Sequence, residues 1–343
     1  MSLEAYIRAM PKVELHVHLE GSIHPPTLLQ LAERNRVTLP ARDLAGLHQW
    51  YTFVDFDHFV EIYFTIASCL KSGDDIELIA REFLIGQAAQ NIRHSDVTYT
   101  SITQYKYSHI PFADQIAGLA RARRWAEKEL GVTLSLVFDI PRQFPADEGM
   151  IVADWAIRGM SDGVVGFGLG GAEAGNPPEK FRAAFARARA AGLVSVPHAG
   201  ELVGPASIWG ALRALGAQRI GHGVRCLDDP NLVAYLREHQ IPLEVCPSSN
   251  VCINVVPSFE QHPLPRLIDA GLYVTLNSDD PPMFNTTLTD EYLKVARQFG
   301  FGADELERLV LNGVRVALLP EKRRAEMEAD FKREFARLRA EHL

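Results

Sequence analysis

The chain has 343 residues, 47% hydrophobic and 23% charged, enough to bury one large core. A formal net charge of -8 and a pI near 5.9 exclude a broad basic surface for nucleic acid or anionic membrane. No apolar run reaches membrane-spanning length and the first residues lack a basic start with an apolar core, so a cytoplasmic protein is expected.

The first strand-like stretch is 13–22, where Val13, Leu15, Val17 and Leu19 alternate with Glu14, His16, His18 and Glu20. Residues two apart share a face of a strand, so His16 and His18 project side by side. Alone, a His-x-His pair fits a wet edge strand better than a metal pair, and ligands at other strand ends must decide. Further strand-like runs follow at 95–102, 133–140, 163–170, 193–200, 219–224, 243–247 and 273–280. Helical patterns fall between them at 75–90, 113–129, 150–159, 179–191, 206–215, 231–238 and 264–270. Eight strands alternating with helices predict an α/β fold of the TIM type, a (β/α)8 barrel, rather than a doubly wound sheet. The Gly-rich run at 163–170 opens no G-x-G-x-x-G helix.

Residues 23–94 form a long insertion after strand one, with Pro25-Pro26, a helix over 28–34 and the aromatic run Trp50-Tyr51-Thr52-Phe53. A connection of that length reads as a lid over the barrel mouth. Beyond 281, helices are expected at 288–299, 303–318 and 321–343. No repeat, low-complexity tract or linker divides the chain, so a single domain over 1–343 is expected. The four cysteines, Cys69, Cys226, Cys246 and Cys252, form no C-x-x-C pair, and Cys226 and Cys246 lie in or beside apolar runs. Reduced, buried thiols are expected.

In such a barrel, active groups sit at the C-terminal ends of strands. Strand one offers His16, His18 and Glu20, strand five His198 and Glu201, strand six His222, and strand eight Asp279 and Asp280. Each has a bland reading as a core histidine, turn residue or helix cap, but their joint placement is a strong signal. His16, His18, His198 and Asp279 suit one Zn²⁺ or another first-row divalent ion. Such a site lowers the pKa of bound water to about 7. His222 and Asp280 can orient the attacking water, and Glu201 can carry a proton. No Ser-His-Asp order, G-x-S-x-G elbow or H-E-x-x-H motif competes.

With these residues in view, the chain resembles the adenosine deaminase family of the amidohydrolase superfamily. The carrying motifs are Pro11-Lys12-Val13-Glu14-Leu15-His16-Val17-His18, His198-Ala199-Gly200-Glu201, Arg219-Ile220-Gly221-His222-Gly223, Cys246-Pro247-Ser248-Ser249-Asn250 and Asn277-Ser278-Asp279-Asp280-Pro281. They span nearly the whole length. The resemblance implies one Zn²⁺ on His16, His18, His198 and Asp279, with Glu201 protonating N1 of a 6-aminopurine. It implies that His222 acts on the attacking water, that Asp280 directs it to C6, and that the Gly171 backbone meets the purine. Relatives with two metals usually carry a bridging lysine or carboxylate on strand four, and 163–170 has neither, so a mononuclear site is expected. The other zinc-deaminase signature, H-x-E with P-C-x-x-C, is absent.

Departures concern the substrate. Glu20 stands where adenosine deaminases usually carry an Asp near the ribose 5′-hydroxyl, and Gly171-Ala172-Glu173 replaces Gly-Asp-Glu. Glu20-Gly21-Ser22 and Gly175-Asn176-Pro177-Pro178 look like the bacterial branches that include adenine and 6-aminodeoxyfutalosine deaminases. The expected reaction is hydrolytic deamination of a 6-aminopurine nucleoside, adenosine or an N9-substituted relative such as 6-aminodeoxyfutalosine. Free adenine is the alternative within that chemistry; ester or amide hydrolysis and non-catalytic purine binding are readings of other classes. No basic cluster near the motifs favours a phosphate, which argues against AMP. The expected partner is a small purine, with no nucleic acid and no membrane, and the sequence does not set the oligomeric state.

Overall fold

Eight short, largely apolar runs pair side by side in sequence order, every neighbour parallel. They are β1 (Lys12–His18), β2 (Ile92–Tyr99), β3 (Thr133–Pro141), β4 (Val164–Gly170), β5 (Val194–Ala199), β6 (Ile220–His222), β7 (Leu243–Val245) and β8 (Val274–Leu276). This computed structural model describes residues 2–53 and 55–343. The ring closes where β1 meets the segment after β8. There Asp279 N–H donates to the His16 carbonyl at 3.1 Å and His18 N–H donates to the Asp279 carbonyl at 2.9 Å. Helices clothe the outside, which makes the fold a TIM-type (β/α)8 barrel.

All eight expected strands are present, and the differences lie at their ends. β1 stops at His18, because Leu19 takes helical angles (φ -64, ψ -45) and Glu20–Ser22 turns as a single 3₁₀ step. Ser22 Oγ donates to the His18 carbonyl at 2.6 Å and secures the turn. Glu20 therefore leaves the strand, and the face it was expected to share with His18. β2 starts at Ile92, inside the stretch assigned to the insertion, because Arg93 and His94 interrupt its apolar pattern.

The insertion folds as the helices Pro25–Arg34, Leu44–Trp50 and Phe56–Ala67 before the crossover helix Gly73–Ala89. Asp43, Asp55 and Ser72 cap three of these helices, accepting from the Gly46, His58 and Asp75 N–H groups at 2.7, 2.9 and 3.2 Å. In Phe56–Ala67, Phe59, Ile62, Tyr63 and Ile66 follow the i, i+3, i+4, i+7 spacing of one helical face. Ile62 and Ile66 pack into the core, while Phe59 and Tyr63 reach the cavity at the barrel mouth. After β8, the helices Leu288–Phe299, Ala303–Val316 and Glu321–His342 follow, the last burying Phe331, Phe335 and Leu338 on an otherwise charged surface.

Below the mouth the barrel interior is ionic as well as apolar. Arg219 Nη1 meets Asp96 Oδ2 and its Nε meets Glu244 Oε1, both at 2.6 Å. Glu244 Oε2 then pairs with His16 Nδ1 at 2.8 Å, and His94 Nε2 with Asp96 Oδ1 at 2.8 Å. Burial pushes Asp96 up, but Arg219 and His94 outweigh it and hold the carboxyl below its ordinary range.

Candidate metal centre and active site

His16 and His18 on β1, His198 on β5 and Asp279 beyond β8 bring one ligand atom each within 4.8 Å of one another. His18 Nε2 lies 3.1 Å from His198 Nε2, and Asp279 Oδ1 lies 3.4 Å from His18 Nε2 and 3.6 Å from His16 Nε2. Asp279 adopts a left-handed backbone (φ 67), uncommon for a residue with a side chain. The turn sends both Asp279 and Asp280 into the mouth.

The donor set fits a divalent metal ion. His16 gives Nδ1 to Glu244 while its Nε2 is buried without a hydrogen-bond partner, the arrangement of a metal-ligating histidine. Burial lowers His18 to about 4 and His198 well below its usual range, leaving both in the neutral form that binds metal. His16 behaves differently: against burial, Asp279 and Glu244 raise it to about 10, so a cation must displace its proton.

Glu201 follows β5 and is 6% exposed. Its loop is held by Glu173, whose Oε1 accepts from Gly200 N–H at 2.7 Å and whose Oε2 accepts from the Leu202 and Val203 N–H groups at 2.8 Å. Burial, then Asp279 and Glu173, pushes the Glu201 carboxyl well above its ordinary value, which favours its protonated form. His222, at the end of β6, faces Glu201 Oε1 at 3.4 Å, and burial lowers it to about 3. Asp280 Oδ1 is buried without a partner; burial and Asp279 raise that carboxyl, a push that a cation held by Asp279 would offset. Gly21 passes so close that a Cβ there would run into the Asp280 carboxylate.

These groups form one end of a cavity of about 640 Å³ that opens to solvent. Phe56, Phe59, Val60, Tyr63 and Phe64 of the inserted helix line it together with Phe284, and Thr100, Asp139, Gln143 and Gly171 complete the wall. Gly171 has φ 82, and a Cβ on it would lie 2.6 Å from Gln143 Oε1, so only backbone meets the cavity there. No lysine or arginine is among the described residues that line it. Arg142, beneath, donates to the Asn176 carbonyl at 2.8 Å and the His198 carbonyl at 2.6 Å.

The structure thus gathers His16, His18, His198, Asp279, Glu201, His222 and Asp280, and sets Gly171 on the wall. Glu20 is the exception. It is fully buried behind Tyr63, with Oε1 accepting from Thr100 N–H at 3.1 Å and Oε2 from the Tyr63 hydroxyl at 3.2 Å. Sequence reasoning missed Thr100, Asp139, Gln143, Tyr63, Glu173 and Glu244. Asp139 ends β3 much as His18 ends β1, so inspecting every strand end would have found it. Its Oδ1 accepts from the Thr100 hydroxyl at 2.7 Å, and burial raises it to about 6.

The four cysteines are free, three of them buried. Among the described residues, no helix is long and apolar enough to cross a membrane.

A parallel barrel whose mouth gathers three histidines and an aspartate defines an amidohydrolase-type enzyme. The family model described as "Adenosine deaminase" matches residues 11–332. An aminodeoxyfutalosine deaminase of Streptomyces avermitilis is 40% identical over 336 residues, covering 96% of this chain and 92% of that protein. The crystal structure of an adenine deaminase from Arthrobacter aurescens superposes with TM-score 0.91 at 33% identity, covering 95% of this chain and 99% of the other. An amidohydrolase from Burkhoderia ambifaria with bound zinc gives TM-score 0.91 at 29% identity, covering 98% and 93%. The chain belongs to the adenosine deaminase family and is a hydrolytic deaminase.

Proposed function

We propose that this chain is a zinc-dependent deaminase of a 6-aminopurine nucleoside, adenosine or an N9-substituted relative such as 6-aminodeoxyfutalosine, releasing the 6-oxopurine and ammonia. The observation that carries this reading is the meeting, at one end of one cavity, of the metal-ligand cluster with a protonated carboxyl, a neutral imidazole and a second carboxyl. His16, His18, His198 and Asp279 would hold the ion, which when bound lowers the pKa of water to about 7. The zinc-bearing neighbour supports zinc as that ion.

Glu201 gives its proton to N1, which draws electrons from C6. Asp280 and His222 hold the attacking water over C6, and its oxygen forms the new C–O bond while Asp280 takes a proton. That proton passes to the amino nitrogen, the C6–N bond breaks and ammonia leaves. The remaining water proton restores Glu201, and N1 keeps the proton it received. The aromatic roof suits a planar base, and a wall without lysine or arginine disfavours a phosphate. The 33%-identical adenine deaminase supports free adenine as a second reading.

The test is to incubate the zinc-loaded protein with adenosine, 6-aminodeoxyfutalosine and adenine, following the ultraviolet change and ammonia release. The expected ranking puts a nucleoside first. No 6-oxo product from any of the three would sink the proposal.

A further inference from the structure

Behind the metal cluster, on the β6 side, three buried side chains stand in a row: His262, Asn250 and His222, at 3%, 0% and 1% exposure. The row begins at a group whose role is not open to choice. The backbone N–H of Leu264, at the start of the helix Leu264–Asp269, can only donate, and it does so to His262 Nδ1 at 3.1 Å. Nδ1 therefore carries no proton. Burial lowers His262 to about 4, so the ring is neutral and its single proton sits on Nε2.

That N–H donates to Asn250 Oδ1 at 3.1 Å. With its oxygen so used, the amide turns its NH₂ toward His222, placing Nδ2 3.4 Å from His222 Nδ1. An amide nitrogen donates and does not accept, so His222 Nδ1 is the acceptor. The proton of the neutral His222 ring is then on Nε2, which faces the reaction end, 3.4 Å from Glu201 Oε1 and 3.8 Å from Asp279 Oδ2.

We infer that His262 and Asn250 are positioning residues, a relay that fixes His222 in the Nε2–H tautomer. His222 is thereby a hydrogen-bond donor to the attacking oxygen and not the acceptor of its proton. Neither His262 nor Asn250 is among the residues that line the cavity, so both act through His222. The water proton then passes to a carboxylate at the mouth, which in the proposed reaction is Asp280. The inference rests on the proposed deamination for its kinetic consequence, but the tautomer itself does not.

The experiment compares zinc-loaded wild type, His262→Leu and His262→Gln. Glutamine can reproduce both bonds, its carbonyl accepting from Leu264 and its amide donating to Asn250. Nitrogen NMR of histidine-labelled protein, with the His222 signals assigned by their loss in His222→Gln, reads the tautomer directly. Wild type is expected to hold the proton on Nε2, and His262→Leu to show a mixture. The kcat of His262→Leu is expected to fall by at least about tenfold, the value of one good hydrogen bond. The upper bound is the loss of about 10⁴ that follows when a catalytic imidazole is held in the wrong tautomer. KM should stay unchanged, and His262→Gln should restore both tautomer and kcat. A wild-type His222 protonated on Nδ1, or an unchanged kcat in metal-loaded His262→Leu, overturns the relay. So does a glutamine variant as impaired as the leucine one, which would reduce His262 to packing. A wild type that carries the Nε2 proton yet deaminates no 6-aminopurine supports the relay and overturns the proposed function instead.

Discussion

The metal-and-acid cluster and the rest of the cavity lining are built by different rules. In the cluster, His16, His18, His198, Glu201, His222, Asp279 and Asp280 come from strands or the residues just beyond them, and His16 is braced from below by Glu244, itself held by Arg219. In the rest of the lining, an inserted helix supplies the roof and Thr100, Asp139 and Gln143 the wall, with the Tyr63 hydroxyl donating to Glu20 and the Thr100 hydroxyl donating to Asp139. Chemistry that tolerates little displacement is placed on the rigid part, and substrate choice on the part that can vary.

Removing the metal should have the largest effect. Chelation should take turnover to background and lower the melting temperature, with zinc restoring both; activity that survives exhaustive chelation, checked by metal analysis, contradicts it. Glu201→Gln should cost about 10²–10⁴ in kcat while the protein still binds metal, whereas an ester or amide hydrolase with no ring to protonate would keep its rate. Burial, Asp279 and Glu173 raise the Glu201 carboxyl, so the proton it donates is kept to higher pH than an ordinary carboxyl keeps it and is lost as pH rises further. A pH–rate profile of wild type should therefore fall on the alkaline side, and the residual rate of Glu201→Gln should lack that limb.

Glu244→Gln tests the bracing. It leaves Asp96 as the one carboxylate paired with the buried Arg219, and denaturant unfolding should show a loss of about 3–5 kcal/mol. Metal affinity should drop about 10–100-fold, read by competition with a chelating dye. In the rest of the lining, Asp139→Ala should change the kcat/KM ratio between purine substrates by about tenfold, with metal content intact. The smallest effect belongs to Tyr63→Phe, which loses the bond to Glu20. It is expected to raise KM by about fivefold, the worth of about 1 kcal/mol, with little change in kcat.

The same contrast explains what was legible in the sequence. A metal and a hydrolytic water demand histidines and carboxylates, and a parallel barrel demands them at strand ends, so His16, His18, His198, Asp279 and their neighbours stood out. Recognition imposes no such alphabet. Phe59 and Tyr63 read as ordinary apolar helix positions until the helix is seen over the mouth, and Glu20 read as a strand residue because nothing local announces the turn at Leu19. Glu244 and Arg219 were hidden because their partners lie far off in sequence. The β/α alternation was legible because its periods are local; the start of β2 was not, since His94 and Asp96 face an interior that is ionic where apolar residues are the usual expectation.

That ionic interior has a consequence for descent. His94, Asp96, Arg219, Glu244 and His16 neutralise one another in series, so replacing any one strands a charge or an imidazole in a place water does not reach. Single-step drift through these positions meets a fitness valley at every step, and strong epistasis among the five is expected. Substitutions in the roof and wall, which lie outside this series of pairs, are expected to be tolerated one at a time.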